Sequence, residues 1–192
     1  MITGGAGFLG YHICKKLSKK FDEIIIIDID SIKKEEYESN VKYFNIDVRD
    51  KKSIENLIEK EKPDFIIHAA AALPLCKKEV IYSVNINGTK NILESSLKNK
   101  VKRVVFISST AVYGVPKKHP LYESDNLVGV GPYGTTKILG EKLCLEYRKK
   151  GLCIPIIRPK TFIGTGRLGV FQILFDWVDS GKKIPIIGHG KN

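Results

Sequence analysis

The sequence predicts a doubly wound α/β fold, in which a parallel sheet carries helices on both faces. Short apolar, β-branched runs alternate with amphipathic segments along the whole 192-residue chain, and this alternation is typical of repeated β-α-β units. A glycine-rich turn separates the first two elements, and the second apolar run ends in an acidic residue. A chain of this length can bury one substantial core, so we expect one domain.

Each element is predicted from its local pattern. β-branched runs bounded by turn residues predict strands, at 24–27, 41–46, 65–68, 104–108, 153–158 and 184–187. Apolar residues at helical spacing predict helices, at 10–19, 52–60, 80–98, 133–149 and 170–180. Sheets of this kind bind ligands beyond the carboxyl ends of their strands, so the residues that follow strands are the first candidates for function.

The turn TGGAGFLG, at residues 3–10, matches the needs of a dinucleotide pyrophosphate. A pyrophosphate requires backbone N–H groups without obstructing side chains, and a helix N-terminus adds the positive end of its dipole. Gly4 permits the tight turn, Gly7 lets the backbone approach the phosphates, and Gly10 lets the helix pack closely on the sheet. The turn therefore predicts a dinucleotide cofactor.

Asp28 favours NAD over NADP as that cofactor. It ends the run IIII, at the distance from the turn where a carboxylate accepts hydrogen bonds from the adenosine ribose and repels a 2′-phosphate. A second glycine pattern, GTGRLG at 164–169, has no strand with an acidic end after it, because the next apolar run is 184–187. We interpret that second pattern as a loop.

Composition argues against several classes of function. The formal charge of +11 comes from dispersed lysines, without the aromatic-studded basic strand or recognition helix of a nucleic-acid-binding protein. The four cysteines show no C-x-x-C spacing and the four histidines no metal-ligand spacing, so we predict no metal site. No apolar stretch approaches the roughly 18 residues of a membrane span. We expect a cytoplasmic protein without nucleic-acid or membrane partners.

Tyr133 and Lys137 are the candidate catalytic pair. They stand four positions apart, on one face of a predicted helix. A phenol with a pKa near 10 is a poor base at neutral pH, and a nearby cation lowers that pKa by favouring the phenolate. Tyr133 could then take a proton from a substrate hydroxyl whose carbon gives hydride to nicotinamide. A half-buried structural aromatic is the alternative reading of Tyr133.

The same Y-x-x-x-K spacing occurs at two other places. Tyr11 and Lys15 lie on the first predicted helix, where the phosphate-binding turn already occupies the site. Tyr113 and Lys117 are separated by a glycine and a proline, which argue against a continuous helix. The third pair begins a long helix after a strand that ends in hydroxyl residues at 108–110, and one of these could hydrogen-bond the substrate oxygen.

Together the motifs resemble those of the extended short-chain dehydrogenase/reductase superfamily and, more narrowly, of the NAD-dependent epimerase/dehydratase family. They occur in the family's order over essentially the whole chain: TGGAGFLG at 3–10, Asp28, Asp47-Val48, HAAA at 68–71, NINGT at 85–89, SSTAVYG at 108–114, YGTTK at 133–137 and Arg158-Pro159. The resemblance implies a Rossmann-like fold and NAD as the cofactor.

The resemblance also implies roles for individual residues. Tyr133 is the base, Lys137 its partner and Ser109 the hydroxyl on the substrate oxygen, with Thr110 as the competing choice. Asn85 either lies near the site or forms a helix-turn hydrogen bond. The implied cofactor-binding residues are Gly4, Gly7, Phe8, Leu9, Gly10, Asp28, Asp47, Val48, Ala69, Ala70, Ala71, Tyr133 and Lys137. Within this set Asp47 and Val48 edge the adenine, and the alanines line the path toward nicotinamide.

The activity implied by the resemblance is that of an NAD-dependent nucleotide-sugar epimerase, which returns hydride to the opposite face of a keto-sugar intermediate. The alternatives are an NAD-dependent sugar or alcohol dehydrogenase/reductase and a non-catalytic NAD-binding regulatory protein. Family members that dehydrate sugars carry acidic residues where this chain has Thr110 and Ala111, which disfavours dehydration. Many epimerases place asparagine, which helps bind the substrate pyrophosphate, where Thr161 stands.

The resemblance further implies a homodimer, formed through helices 80–98 and 133–149, that acts on a small-molecule substrate. Two residues precede Thr3, whereas a central parallel strand usually has about five, and the chain stops in the loop-like GHGKN. We expect residues 1–192 to be a fragment of a longer enzyme that lacks most of the C-terminal substrate-binding lobe.

Overall fold

A six-stranded parallel sheet organises the chain. The structure is a computed structural model that describes residues 1–116, 118–164 and 171–183. The strands are β1 (Ile2–Thr3), β2 (Ile24–Asp28), β3 (Val41–Asn45), β4 (Phe65–His68), β5 (Arg103–Ile107) and β6 (Ile156–Ile157), in the spatial order β3-β2-β1-β4-β5-β6. Every neighbouring pair is parallel. This is the doubly wound, Rossmann-like order, which confirms the predicted fold class.

Helices connect the strands. They are α1 (Phe8–Leu17), α2 (Lys51–Glu61), α3 (Lys78–Tyr82), α4 (Thr89–Lys98), α5 (Gly131–Lys149) and α6 (Phe171–Asp179). A π-helical turn, Ser83–Gly88, joins α3 to α4, and two 3-10 turns occupy Lys34–Glu36 and Thr110–Tyr113. The chain forms two compact units, residues 1–160 and 161–192, and α6 belongs to the second. Among the helices described, none is long and apolar enough to cross a bilayer.

Two apolar clusters cover the two faces of the sheet. Successive residues of β2 point to opposite faces: Ile26 packs with Ile24 and with Cys14 of α1, whereas Ile27 joins a cluster built from α2, α4 and α5. That second cluster includes Ile54, Leu57, Ile58, Ile92, Leu93, Cys144 and Tyr147. Burying one isoleucine side chain is worth about 2 kcal/mol, so a sheet with apolar residues on both faces needs helices on both faces.

Two predicted elements differ from the structure, and a third cannot be compared with it. The predicted helix 80–98 begins earlier, at Lys78, and is interrupted by the π-helical turn. β6 is shorter than the predicted strand 153–158, because Pro155 accepts a hydrogen bond from the Phe106 N–H at 2.9 Å but has no N–H of its own to donate. The predicted strand 184–187, and all of the second glycine pattern after Gly164, lie outside the described residues.

The strand order reverses between β1 and β4, and this reversal positions the site. The two strands are paired, with Thr3 opposite His68. The chain leaves β1 toward β2 and leaves β4 toward β5, so the two connections diverge beyond the carboxyl ends of these strands and open a crevice. The glycine turn after β1 and the alanine segment after β4 are the first residues of those connections.

Candidate active site

The glycine turn is pressed against the chain that follows β4. Gly4 has a φ of +69°, and a Cβ atom there would lie 2.7 Å from the nitrogen of Ala70 and 2.9 Å from the carbonyl carbon of Ala69. A Cβ atom on Gly10 would lie 2.2 Å from the Gly4 carbonyl oxygen. Real Cβ contacts are never so short, so both positions require glycine. Ala69 and Ala70 therefore form the wall behind the turn.

The N-terminus of α1 has the features of a phosphate site. α1 begins at Phe8, and Gly7 before it provides no side-chain cap. The first N–H groups of a helix have no acceptor within the helix, and the dipole adds positive charge there. Among the described residues, a Cβ atom on Gly7 would meet only the Gly4 carbonyl oxygen, at 3.3 Å. The bare backbone leading into Phe8, Leu9 and Gly10 therefore fits a dinucleotide pyrophosphate.

Asp28 closes the turn from the end of β2. Its Oδ2 accepts the Ala6 N–H at 2.9 Å, and its Oδ1 accepts the N–H groups of Ile29 at 2.7 Å and Asp30 at 3.1 Å. The carboxylate is thereby fixed beside the glycine turn, and an ionised carboxylate can only accept hydrogen bonds. This arrangement favours a ribose diol as its ligand and opposes a phosphate.

Tyr37 adds a contact on the turn that the sequence analysis did not identify. Its hydroxyl donates to the Gly5 carbonyl oxygen at 3.3 Å, and its ring lies edge-on to Tyr11 with centroids 5.4 Å apart. Burial raises the pKa of Tyr37 to about 12, so the hydroxyl keeps its proton.

Lys15 Nζ lies 3.4 Å from the hydroxyl of Tyr11, so this competing Y-x-x-x-K pair is also in contact, beside the turn. Lys117 of the other pair lies outside the described residues.

The two residues implied at the adenine edge have different environments. Arg49 donates from Nε to the Asp47 carboxylate at 2.9 Å and from Nη2 at 2.5 Å, which lowers the pKa of that carboxyl group. Val48 is buried in the core, and its carbonyl oxygen accepts from Asn91 Nδ2 at 3.0 Å. The Val48 side chain therefore belongs to the core, while Asp47 remains at the surface in an ion pair that sequence spacing did not predict.

A buried hydrogen-bond chain centred on His68 runs behind the turn. His68 Nδ1 lies 2.7 Å from Thr3 Oγ1, and His68 Nε2 lies 3.0 Å from Thr89 Oγ1. Because Thr89 donates its own proton to the Asn85 carbonyl oxygen at 2.7 Å, it must accept from the Nε2–H of His68. Nδ1 then accepts from Thr3, whose oxygen in turn accepts the Ala70 N–H at 3.0 Å.

His68 is neutral in this chain. Burial, and secondarily the charge of Lys137, lower the pKa of His68 to about 3. The hydrogen-bond chain uses one ring nitrogen as donor and the other as acceptor, which is the pattern of a neutral imidazole. His68 thus fixes the glycine turn to β4 without adding a second positive charge to the site.

The hydrogen bonds continue from the π-helical turn to α5. Asn85 Oδ1 accepts the Ala72 N–H at 2.8 Å, and its Nδ2 donates to the Ala72 carbonyl oxygen at 3.2 Å and to Thr136 Oγ1 at 3.0 Å. Thr136 donates to the Tyr133 carbonyl oxygen at 2.9 Å. Asn85 therefore holds the segment that contains Ala71 against the first turns of the helix that carries Tyr133.

Lys137 is buried beside the ring of Tyr133. Its Nζ lies 5.7 Å from the Tyr133 ring centroid and 5.3 Å from that of Phe106, and it donates to the Ile107 carbonyl oxygen at 2.8 Å. Burial lowers the pKa of Lys137 to about 8. Since that value lies above 7, the ammonium group is mostly charged at neutral pH, and the two aromatic faces add cation–π attraction.

The 3-10 turn after β5 lies against the start of α5. A Cβ atom on Gly134 would lie 2.7 Å from the Ala111 carbonyl oxygen, so the two segments are in direct contact. Ser109 Oγ accepts the Ala111 N–H at 3.1 Å, and a hydroxyl that accepts still has a proton to donate. The backbone of the competing Thr110 is tied to the segment that follows β6, since its N–H donates to the Pro159 carbonyl oxygen at 3.0 Å.

The doubly wound fold and the glycine turn are those of a Rossmann-fold protein with a site suited to a dinucleotide. Comparison with known proteins shows which family it belongs to. A model of the NAD dependent epimerase/dehydratase family matches residues 1–192. The chain therefore belongs to that family, a Rossmann-fold branch of the short-chain dehydrogenases/reductases, and the predicted resemblance is confirmed.

Individual relatives agree with this assignment. The chain is 34% identical to the uncharacterized protein y4nG of Sinorhizobium fredii, over 100% of this chain and 48% of that one. It is 32% identical to a putative UDP-glucose 4-epimerase of Methanocaldococcus jannaschii, over 99% and 66%. It superposes with a TM-score of 0.86 and 28% identity on a Thermotoga maritima UDP-glucose 4-epimerase solved with UDP-glucose, covering 99% and 66%. The chain thus spans about half to two thirds of the length of these proteins.

The neutral His68 predicts a loss of stability in acid. The unfolded histidine binds a proton below its ordinary pKa of 6.5, whereas the folded one does so only near 3, so the free energy of unfolding should fall as the pH drops through that window. His68→Gln should remove this part of the pH dependence, as measured by urea denaturation between pH 3 and 7. His12→Gln, at an exposed position, is the control and should leave the pH dependence unchanged. An unchanged slope in His68→Gln would contradict the assignment.

Proposed function

We propose that the protein is an NAD-dependent nucleotide-sugar epimerase. The observation that carries the proposal is the contact between two segments at the carboxyl edge of the sheet: the turn that bears Ser109 and the helix start that bears Tyr133 beside the buried Lys137. A second segment at the same edge, the glycine turn, has the features of a pyrophosphate site. Relatives named as UDP-glucose 4-epimerases support a nucleotide sugar as the substrate.

Tyr133 acts as the general base in the proposed reaction. NAD, when bound, supplies a reversible hydride acceptor. The Lys137 ammonium beside the ring favours the phenolate form of Tyr133, which takes the proton from a sugar hydroxyl as the carbon loses hydride. The Ser109 hydroxyl donates a hydrogen bond to the same sugar oxygen. After the keto-sugar turns, Tyr133 would return the proton to that oxygen, and a cofactor that stays bound would leave the overall reaction without net oxidation.

Two other activities compete with epimerisation. A sugar or alcohol dehydrogenase/reductase would use the same residues but release the reduced cofactor, and a regulatory protein would bind the cofactor without turnover. Dehydration is disfavoured because Thr110 and Ala111 are not acidic. This chain has Thr161 where many epimerases have an asparagine that helps to bind the substrate pyrophosphate. Other groups would have to bind the pyrophosphate here. If the protein interconverts a nucleotide sugar with its epimer and releases no NADH, that result favours the epimerase over the two other activities.

The proposed cofactor specificity is tested by titrating the protein calorimetrically with NADH and NADPH. Asp28 opposes a 2′-phosphate, so NADH should bind at least about tenfold more tightly, a difference near 1.4 kcal/mol. Asp28→Ala should bring the two dissociation constants to within about threefold. Asp64→Asn, which removes an exposed ion pair with Lys102, is the control. If a folded protein binds neither nucleotide, the cofactor proposal is wrong.

The proposed catalytic role is tested with Tyr133→Phe in the whole protein. Removing a general base costs about 10²- to 10⁴-fold in rate, so interconversion of UDP-glucose with its 4-epimer, followed by NMR, should fall by that factor. Binding of NADH should stay within about threefold of wild type. Tyr11→Phe, which alters the competing pair on α1, should leave the rate unchanged. Unchanged turnover in Tyr133→Phe would eliminate the proposed base.

We also propose a homodimer that works in the cytoplasm. α4 and α5 would form the interface, and the half-exposed Leu145 on α5 offers apolar surface for it. All four cysteines are unpaired, which agrees with a reducing compartment. Sedimentation equilibrium should give twice the protomer mass, and Leu145→Glu should reduce it to that of one protomer. A wild-type protein with the mass of one protomer would contradict the homodimer. A protein recovered outside the cytoplasmic fraction would contradict the proposed location.

A further inference from the structure

Glu141 and Arg158 form a buried ion pair that the proposed reaction does not use. Arg158 donates from Nε to Glu141 Oε1 at 2.9 Å and from Nη2 to Oε2 at 2.7 Å, a two-point contact that fixes both side chains. The carboxylate side chain is 4% exposed and the guanidinium side chain 17%. The contact raises the pKa of Arg158, so the guanidinium keeps its charge. The pair joins α5 to the end of β6.

This ion pair holds the chain on both sides of Ser109. Ser108 donates from Oγ to Glu141 Oε1 at 2.5 Å. Arg158 Nη1 donates to the Tyr113 hydroxyl at 2.8 Å and to the Glu123 carbonyl oxygen at 2.9 Å. Ser108 precedes Ser109 directly, and Tyr113 ends the 3-10 turn that follows it. The segment that carries the Ser109 hydroxyl is therefore anchored at its two ends to one charged pair.

The same pair fixes α5 relative to β5. Glu141 lies one helical turn after Lys137, and Lys137 Nζ donates to the Ile107 carbonyl oxygen at 2.8 Å. Two side chains on one face of α5 thus bind the consecutive residues Ile107 and Ser108 at the end of β5. Tyr133 lies one turn before Lys137 on the same helix. Sliding or rotation of α5 against the end of β5 would strain both contacts.

Stability alone does not account for a charged pair at this place. Apolar residues of similar volume often replace a buried ion pair at no cost or with a gain, because desolvating two charges is expensive. Two-point contacts give direction and distance, which apolar packing does not. We propose that Glu141 and Arg158 are positioning residues of the active site, which set the separation between the Ser109 hydroxyl and the helix that bears Tyr133. This inference rests on the function proposed above.

The test uses variants that disconnect the pair to different degrees. Tyr113→Phe removes one hydrogen bond and leaves the ion pair intact. Glu141→Gln and Arg158→Met each break the pair, and Glu141→Leu combined with Arg158→Met replaces it by apolar side chains in case the single variants unfold. Glu61→Gln is the matched control, because Glu61 is also a largely buried carboxylate, 9% exposed, in an ion pair with Lys42 far from the site.

Three quantities are measured for each folded variant: hydrogen exchange of the backbone at residues 109–114, kcat and KM for UDP-glucose, and the dissociation constant of NADH. In the variants that break the pair we expect exchange to rise at least about tenfold and kcat to fall at least about thirtyfold. KM and NADH binding should stay within about threefold. Tyr113→Phe should show a smaller change in the same direction, and Glu61→Gln none.

The outcomes separate this inference from the proposed function. If kcat and exchange at 109–114 stay at wild-type values when the pair is broken, the positioning role is wrong. A rise of exchange throughout the sheet, with an equal loss of NADH binding, would also overturn it, since that result indicates general destabilisation. If the wild-type protein has no epimerase activity, the proposed function fails, and the exchange data alone decide whether the pair holds the Ser109 turn.

Discussion

The close approach of Gly4 to the chain after β4 is the constraint on which the site depends. β1 is paired with strands on both sides, so the chain that leaves it must turn within a few ångströms of the segment that leaves β4. The missing side chain at Gly4 allows that approach, with Ala70 where a Cβ atom would be. Thr3 and His68 then meet behind the turn, and Asp28 meets Ala6 in front of it. The first of these bonds joins residues that face each other in β1 and β4, whereas the second fixes the turn itself.

The electrostatics behind the glycine turn depend on a neutral His68 beside the buried Lys137. His68 and Lys137 are both buried, and the charge of Lys137 helps to lower the pKa of His68. Two threonine oxygens satisfy the neutral histidine completely, so the cost of its burial is low. Lys137 faces two aromatic rings and a carbonyl oxygen, which compensate part of its desolvation. The surface charge of +11 contributes little here, because the surrounding solvent screens it.

The sequence alone predicts the fold and those candidate site residues that stand at a fixed spacing within one element. β-branched runs identified β2, β3 and β4 nearly to the residue, and the Y-x-x-x-K spacing placed Tyr133 and Lys137 on one helix face. Features that depend on contacts between distant segments could not be predicted. The π-helical turn is accompanied by the pairing of Asn85 with Ala72, thirteen positions earlier, and the bond from Arg158 to Glu141 spans seventeen positions. Neither pair follows from a local periodicity. The burial of Val48 likewise depends on core packing, and no spacing rule encodes it.

The hydrogen bond between Asp28 and Ala6 bears on how long a cofactor would remain bound. The bond fixes the turn to the end of β2, and a site whose groups are held in place loses less entropy when a ligand binds. For an epimerase this matters for residence time. A cofactor that departed between the two hydride transfers would strand the sugar as a ketone, so an epimerase needs to release its nucleotide more slowly than the intermediate rotates. The bond from Ala6 to Asp28 would slow that release, because the turn cannot move away from the nucleotide without breaking it.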